Sequence, residues 1–311
     1  MKKFLKVLRN IFVGMIAITA ILLIGATIYN QLMIKKDDVY WKNPPGEMVE
    51  VDGHKMHIYT EGEGEHTILL MSGWSVSSPS PYLNLLPLCK DLAKNNKVVI
   101  IERFGYGISD VVGGERSFDK LVDQDREALE KLGIKGPYVL CPHSLSGLES
   151  LIWAQNYPDE VEAIVGMDMS DTSIKGDNEM SIPMLRLIGA IRATGLYRLL
   201  PFPDDATEEM KMEHAIQCKT LSNKTIINEL SHIDAACDMI NEKPLPTVPT
   251  LQFVAMQKRT AEEVEAWKAT HQELVSASSN GKLVELDCTH YVYRFEKDRI
   301  VQEINAFLET L

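Results

Sequence analysis

Residues 137–147 read Pro-Tyr-Val-Leu-Cys-Pro-His-Ser-Leu-Ser-Gly, and this stretch decides the fold. Tyr138 to Cys141 is a short apolar run of the kind that forms a buried strand. The apolar pattern of 146–157, closed before Pro158, predicts a helix immediately after it. Between the two, small residues surround a serine. A serine at a strand-turn-helix bend is held with its hydroxyl exposed above the sheet, and the helix N-terminus behind it supplies positive potential. Ser144 is therefore the candidate nucleophile.

Outward from this bend, strand and helix patterns alternate. Short strands are predicted at 47–51 and 55–60, joined by the Asp52-Gly53 turn, then at 67–71, 97–102, 138–142, 161–168, 250–255 and 282–286. Helices are predicted at 81–94, 117–132, 146–157, 260–277 and 296–309. The runs VVII, YVLC and AIVGM are continuously apolar instead of alternating, as expected for a mostly parallel sheet flanked by helices on both faces. The fold class is α/β. Residues 172–247 interrupt the alternation with helical patterns at 181–194, 205–221 and 223–240. An insertion after a strand's carboxyl end overlies the ligand-binding edge of such a sheet, so this segment is read as a helical lid. Its Met180, Met184, Leu187, Ile191 and Met210 suit either an adaptable apolar chamber or ordinary packing. The domain reading is an N-terminal segment and linker over 1–42, a core in two parts at 43–171 and 248–311, and the lid.

Pro142-His143-Ser144-Leu145-Ser146-Gly147 resembles the Gly-x-Ser-x-Gly nucleophile motif of the α/β-hydrolase superfamily, with Pro142 and Ser146 at the outer glycine positions and a glycine one place later. Three further stretches are similar to the family in the same order. Ser72-Gly73-Trp74 ends the 67–71 strand where the family has His-Gly. Glu102-Arg-Phe-Gly105-Tyr-Gly107-Ile-Ser109-Asp110 looks like its Asp-x-x-Gly-x-Gly-x-Ser-Asp loop, and His290-Tyr291 follows the last strand, where the family places its catalytic histidine. The resemblance covers residues 47–170 and 248–311. It implies a Ser-acid-His triad with His290 as base and an oxyanion hole formed by the backbone N–H groups of Trp74 and Leu145.

Chemically, a serine hydroxyl needs a base to remove its proton, and the base needs a carboxylate to fix its tautomer. The residues after the 250–255 strand, Met256 to Thr260, hold no carboxylate. Asp168, at the end of the preceding strand, is the leading candidate acid, because strand-helix-strand connection brings Ser144 and Asp168 to one edge of neighbouring strands. Asp171 and Glu262, with its neighbour Glu263, are the alternatives. His143 is expected to point away into packing, and Glu102 and Arg103 to form a buried structural pair.

The N-terminal segment has a different character. Ile11 to Ile28 are eighteen uncharged residues, about 27 Å as a helix against a hydrocarbon layer of about 30 Å. Residues 1–42 carry seven Lys/Arg against Asp37 and Asp38; this net of +5, set against −12 for the whole chain, leaves −17 for the remainder. Lys2, Lys3, Lys6 and Arg9 precede the apolar run, which predicts a cytoplasmic N-terminus, an uncleaved membrane anchor and an extracytoplasmic body. A cleaved signal peptide, giving a secreted body, is the alternative. The acidic body argues against a nucleic-acid partner. Five scattered cysteines form neither a disulfide scaffold nor a zinc motif, and no metal or organic cofactor is called for. The expected function is hydrolysis of a small-molecule carboxylic ester through an acyl-enzyme. The alternatives are an aminopeptidase or other amide hydrolase, and a non-catalytic binding protein of the same fold.

Overall fold

The computed structural model describes residues 2–77, 79–176 and 181–311; Met180 of the lid lies outside them. The chain runs through α1 (Lys2–Lys36), β1 (Glu47–Val51), β2 (His54–Glu61), β3 (Thr67–Met71), α2 (Pro81–Leu92), β4 (Lys97–Glu102), α3 (Phe118–Lys131), β5 (Tyr138–Pro142), α4 (Ser146–Asn156) and β6 (Val161–Met167). There follow α5 (Ile182–Ala193), α6 (Glu208–Thr220), α7 (Lys224–Leu230), α8 (Ile233–Asn241), β7 (Thr250–Ala255), α9 (Ala261–Ala277), β8 (Gly281–Leu286), α10 (Val292–Phe295) and α11 (Lys297–Leu308).

The strands form one sheet in the order β1-β2-β4-β3-β5-β6-β7-β8. From β4 to β8 neighbours are parallel; β1 and β2 add an antiparallel hairpin at one edge. Its turn residues Asp52 and Gly53 both have positive φ, +51° and +73°, the backbone that a two-residue hairpin loop requires. The continuous apolar runs are explained by burial on both faces. Leu69, Leu140 and Ile164 point into one core with Leu121 of α3, Leu148 of α4 and Ile240 of α8. Their strand neighbours Ile68, Leu70, Val139, Cys141 and Val165 point into a second core with Leu88 of α2 and Ile300 of α11. Successive strand residues face opposite sides, so each strand must be apolar at every position.

Between β6 and β7 the chain leaves the sheet for α5 to α8, as expected. The helix anticipated over 223–240 is two helices, broken at Ser231 and His232, whose N–H groups close onto the carbonyls of Asn228 and Glu229. Side-chain caps start α2, α5, α6, α7 and α9: Ser80, Ser181, Thr207 and Asn223 each accept a backbone N–H at an N-terminus, and Thr260 and Glu263 form a reciprocal capping box. Glu263 is thus occupied in starting α9. α1 is long and apolar enough to cross a membrane, and its side chains are mostly exposed.

Candidate active site

The bend after β5 is built from short contacts. Ser144 has φ +56°, a left-handed conformation unusual for a residue with a side chain. It is held there by cross-links on both sides. The His143 N–H donates to the Met71 carbonyl at 2.9 Å, the Ser170 N–H to the Ser144 carbonyl at 2.8 Å, and His143 bridges Met167 across the sheet. Ser146, standing where the motif has glycine, sends its hydroxyl back to within 3.0 Å of the Met71 carbonyl and accepts from the His143 N–H at 3.0 Å. The glycine one place later answers a close approach: a Cβ on Gly147 would lie 2.0 Å from the Ser170 carbonyl oxygen. Gly73 abuts the serine itself, since a Cβ there would lie 2.5 Å from Ser144 Cβ.

Asp168, just past β6, is fully buried and also has positive φ, +47°. Its backbone N–H donates to the Phe253 carbonyl at 2.8 Å. Its carboxylate accepts from four donors. Oδ1 takes the Ala255 N–H at 2.9 Å and the Trp267 indole N–H at 2.8 Å; Oδ2 takes His290 Nδ1 at 2.6 Å and the Arg259 guanidinium at 3.1 Å. Burial pushes this carboxyl upward, but the His290 bond and charge, the Ala255 N–H and the Arg259 charge outweigh it and hold it at about 2. Asp168 is therefore ionised, and with Nδ1 bound to it, Nε2 is the ring nitrogen of His290 left over for other chemistry. Asp171 caps the turn at Thr172–Ile174 by accepting the Ser173 N–H, and Glu262 is exposed on α9; the structure brings neither to His290.

Ser144, His143 and His290 line one pocket of about 350 Å³, together with Gly73, Trp74, Glu213 and Arg294. Among the described residues the Ser144 hydroxyl makes no direct hydrogen bond to the imidazole; such contacts commonly tighten only when substrate binds. The N–H groups of Trp74 and Leu145 likewise have no acceptor among the described residues. They flank the serine from the β3 loop and from the start of α4. Among the described residues no group of three or more His, Cys, Asp or Glu side chains is placed to hold a metal ion.

Two expectations need correction. Glu102 and Arg103 are both buried but do not pair with each other, because successive residues of an extended segment face opposite sides. Glu102 accepts from His57 at 3.0 Å, from the Ile108 N–H at 2.9 Å and from Ser80. This ties the loop after β4 to β2 and α2. Arg103 binds Glu149 at 3.1 Å and Glu229 at 2.9 Å, and donates to the Ser72 carbonyl at 2.6 Å, which fixes the backbone just before Gly73. His143 does not point away. Its ring lies 4.6 Å from that of His290, and its Nε2 donates to the His290 carbonyl at 3.0 Å. Burial, then the proximity of His290, lowers its basicity to a pKa of about 3, so it serves as a neutral donor. Arg259 and Trp267 were missed by sequence reasoning. An Arg four residues beyond a strand has no signature of its own, and nothing local shows that α9 returns Trp267 to the end of β6.

A comparison with protein-family models finds no match. Among curated proteins the chain is 30% identical to the uncharacterized protein YbdG of Bacillus subtilis (strain 168), over 99% of both chains. Among solved structures it is similar to the enol-lactonase from Burkholderia xenovorans LB400, with TM-score 0.60 and 20% identity over 85% of this chain and 100% of that one. It is also similar to a thermophilic esterase from Thermogutta terrifontis, with TM-score 0.64 and 17% identity over 85% and 99%. The eight-stranded sheet with its bend after β5 and these likenesses agree on the α/β-hydrolase fold, and the match over nearly the whole of both chains shows that the chain belongs to one family with the YbdG protein.

Proposed function

We propose that this protein is a membrane-anchored serine hydrolase that cleaves carboxylic esters, with its body outside the cytoplasm. The observation that carries the reading is the 2.6 Å bond from His290 Nδ1 to the buried Asp168 carboxylate, in a histidine that shares its pocket with the strained Ser144. In this reading His290 Nε2 takes the hydroxyl proton as Ser144 Oγ attacks the ester carbonyl, and Asp168 stabilises the imidazolium that results. The oxyanion is received by the N–H groups of Trp74 and Leu145, each such donor contributing about 3 kcal/mol to transition-state stabilisation. The imidazolium then protonates the departing alcohol. Water, deprotonated by the same histidine, cleaves the acyl-serine and releases the acid and free enzyme. The lactonase and esterase of similar fold act, by their names, on esters, which agrees with this chemistry.

The helices α5 to α8 are read as the lid over this pocket, since α6 contributes Glu213 and Gln217 to its wall. The apolar α1, with Lys3, Lys6 and Arg9 ahead of its uncharged run, is read as the anchor with its start in the cytoplasm. A fluorophosphonate probe tests the chemistry: the full chain is expected to label and to hydrolyse short p-nitrophenyl esters, and Ser144→Ala to do neither. Intact protein that labels equally with and without Ser144, or cleaves aminoacyl anilides in preference to esters, refutes the proposal.

A further inference from the structure

The outer end of α1 is not free of the body. Gly195, with φ +81°, sits against it so closely that a Cβ would lie 2.6 Å from the Ala26 carbonyl oxygen, and Thr27 Oγ1 lies 3.3 Å from the Thr194 carbonyl. Arg198 reaches back to Asn30 at 3.0 Å and Asp37 at 2.7 Å, and Lys219 of α6 lies over the Trp41 ring. Ala26 and Thr27 belong to the last turn of the uncharged run. If α1 spans a bilayer, the turn between α5 and Leu196 lies at the depth where hydrocarbon meets headgroups.

The surface around that contact is apolar. Met184, Leu187 and Ile191 stand at spacings of three and four on one face of α5, all exposed, and Leu199 and Leu200 continue the patch beyond Gly195. Residues 181–203 contain no acidic residue, in a chain whose net charge is −12; of their three arginines Arg186 is exposed, while Arg192 donates to the Lys219 carbonyl and Arg198 is paired with Asp37. An exposed apolar helix face in a segment without acidic residues, with an exposed arginine on the same helix, fits a helix that lies in a lipid interface. A groove of about 460 Å³ opens beside this patch between Leu200, Phe202 and Met210, and it shares Asn84, Glu213 and Gln217 with the wall of the Ser144 pocket.

We infer that the α5 to Phe202 segment rests in the outer face of the membrane that α1 crosses, and that the groove admits the acyl chain of a bilayer-resident amphiphilic ester toward Ser144. This rests on the anchored-hydrolase reading above and names its substrate class. The geometry is that of an entrance lying at the lipid surface, with the ester bond rising to the serine while the chain remains in apolar surroundings.

The test uses the full chain in vesicles of phosphatidylcholine and phosphatidylglycerol. All five native cysteines are buried, so a single added cysteine takes a nitrobenzoxadiazole label. Labels go at Leu187→Cys and Leu199→Cys, whose parent side chains are 56% and 58% exposed, at Ile21→Cys within α1, and at Lys135→Cys just ahead of β5, at the sheet edge away from Ser144. The inference expects positions 187 and 199 to be quenched at least twofold more than 135 by lipids spin-labelled near the top of the acyl chain, and to be shielded from aqueous iodide. Iodide quenching at 187 and 199 equal to that at 135, with 21 still shielded, overturns the inference and leaves the anchor standing. Shielding from both quenchers means that a second protein copy covers the patch, and also overturns it. Iodide access at 21 removes the anchor and the inference together. For the substrate route, Leu187→Ser/Leu199→Ser is expected to lose at least fivefold of its turnover of a vesicle-dispersed long-chain ester while keeping its turnover of a soluble short-chain one. An equal effect on both substrates, or none on either, refutes the route.

Discussion

Replacing Gly73 by alanine perturbs the candidate site with a single methyl group. Gly73 is not among the residues with positive φ, so alanine meets no backbone penalty there. The cost comes entirely from proximity. The new Cβ would lie 2.5 Å from Ser144 Cβ and 3.0 Å from both Ser144 Oγ and the His143 carbonyl oxygen, whereas ordinary contact begins near 3.4 Å. Relief requires the β3 loop and the bend after β5 to separate by about 1 Å, and a misplacement of that size at reacting groups costs on the order of 100-fold in rate, or about 2.7 kcal/mol. The loop carries the Trp74 N–H and the bend carries both Ser144 and the Leu145 N–H, so the separation also spreads the two proposed oxyanion donors. The expected result is a folded protein, destabilised by about 1–3 kcal/mol through overpacking, whose kcat on p-nitrophenyl butyrate falls about 100-fold while KM changes little. Gly113→Ala is the control. Its Cβ would meet only the end of the Lys224 side chain, at 3.4 Å, and turnover there is expected to stay at the parent level. If Gly73→Ala turns over within threefold of the parent, the loop does not abut the reacting serine in the working enzyme, and the assignment of the oxyanion donors fails.

Three further outcomes follow from the same contacts. The folded Asp168 carboxyl, at about 2, lies below its ordinary value of 3.8, so its ionised form stabilises the fold above pH 4; that contribution, about 2–3 kcal/mol, is lost as pH falls from 4 through 2. Urea midpoints of the parent and of Asp168→Asn are therefore expected to converge across that interval, and a constant gap would show that the carboxylate's charge contributes nothing. Arg103→Met leaves Glu149 and Glu229 buried without their cation and releases the Ser72 carbonyl, for an expected loss of about 3–5 kcal/mol in thermal or urea unfolding. Ser146→Ala removes the hydroxyl that bonds across the bend; a loss of about 1 kcal/mol in unfolding, with ester turnover within threefold of the parent, is expected.

The sheet was legible because its strands are buried on both faces. In a chain that alternates with helices, continuous runs such as Val98 to Ile101 and Tyr138 to Cys141 fit a doubly covered sheet and little else. Ser144, Asp168 and His290 were legible because each sits at the end of a strand pattern, where topology alone brings residues together. What surrounds them was not. The Arg259 to Asp168 and Arg103 to Glu229 contacts join residues 91 and 126 positions apart. Their partners are chosen by how α9 and α7 pack, and packing leaves no periodic trace. The break between α7 and α8 was invisible for a related reason: Ser231 and His232 include neither glycine nor proline, and only the local turn of the backbone divides the pattern.

The same geometry supports the proposed placement of the acid after β6. Ser144 and Asp168 are both held at positive φ, which no side chain favours, and each is fixed by the neighbouring strand. The His143 to Met167 bridge and the Ser170 to Ser144 bond join the two short segments that carry the strained residues, so the conformation of one segment supports that of the other. An acid after β7 would stand one strand further from the serine and outside this cross-linking. With the acid on β6, the end of β7 plays a supporting part. Ala255 supplies an N–H and Arg259 a cation to Asp168, while Phe253 accepts its backbone N–H. The segment that lacks a carboxylate is thus the one that keeps the neighbouring carboxylate ionised and correctly aimed at His290.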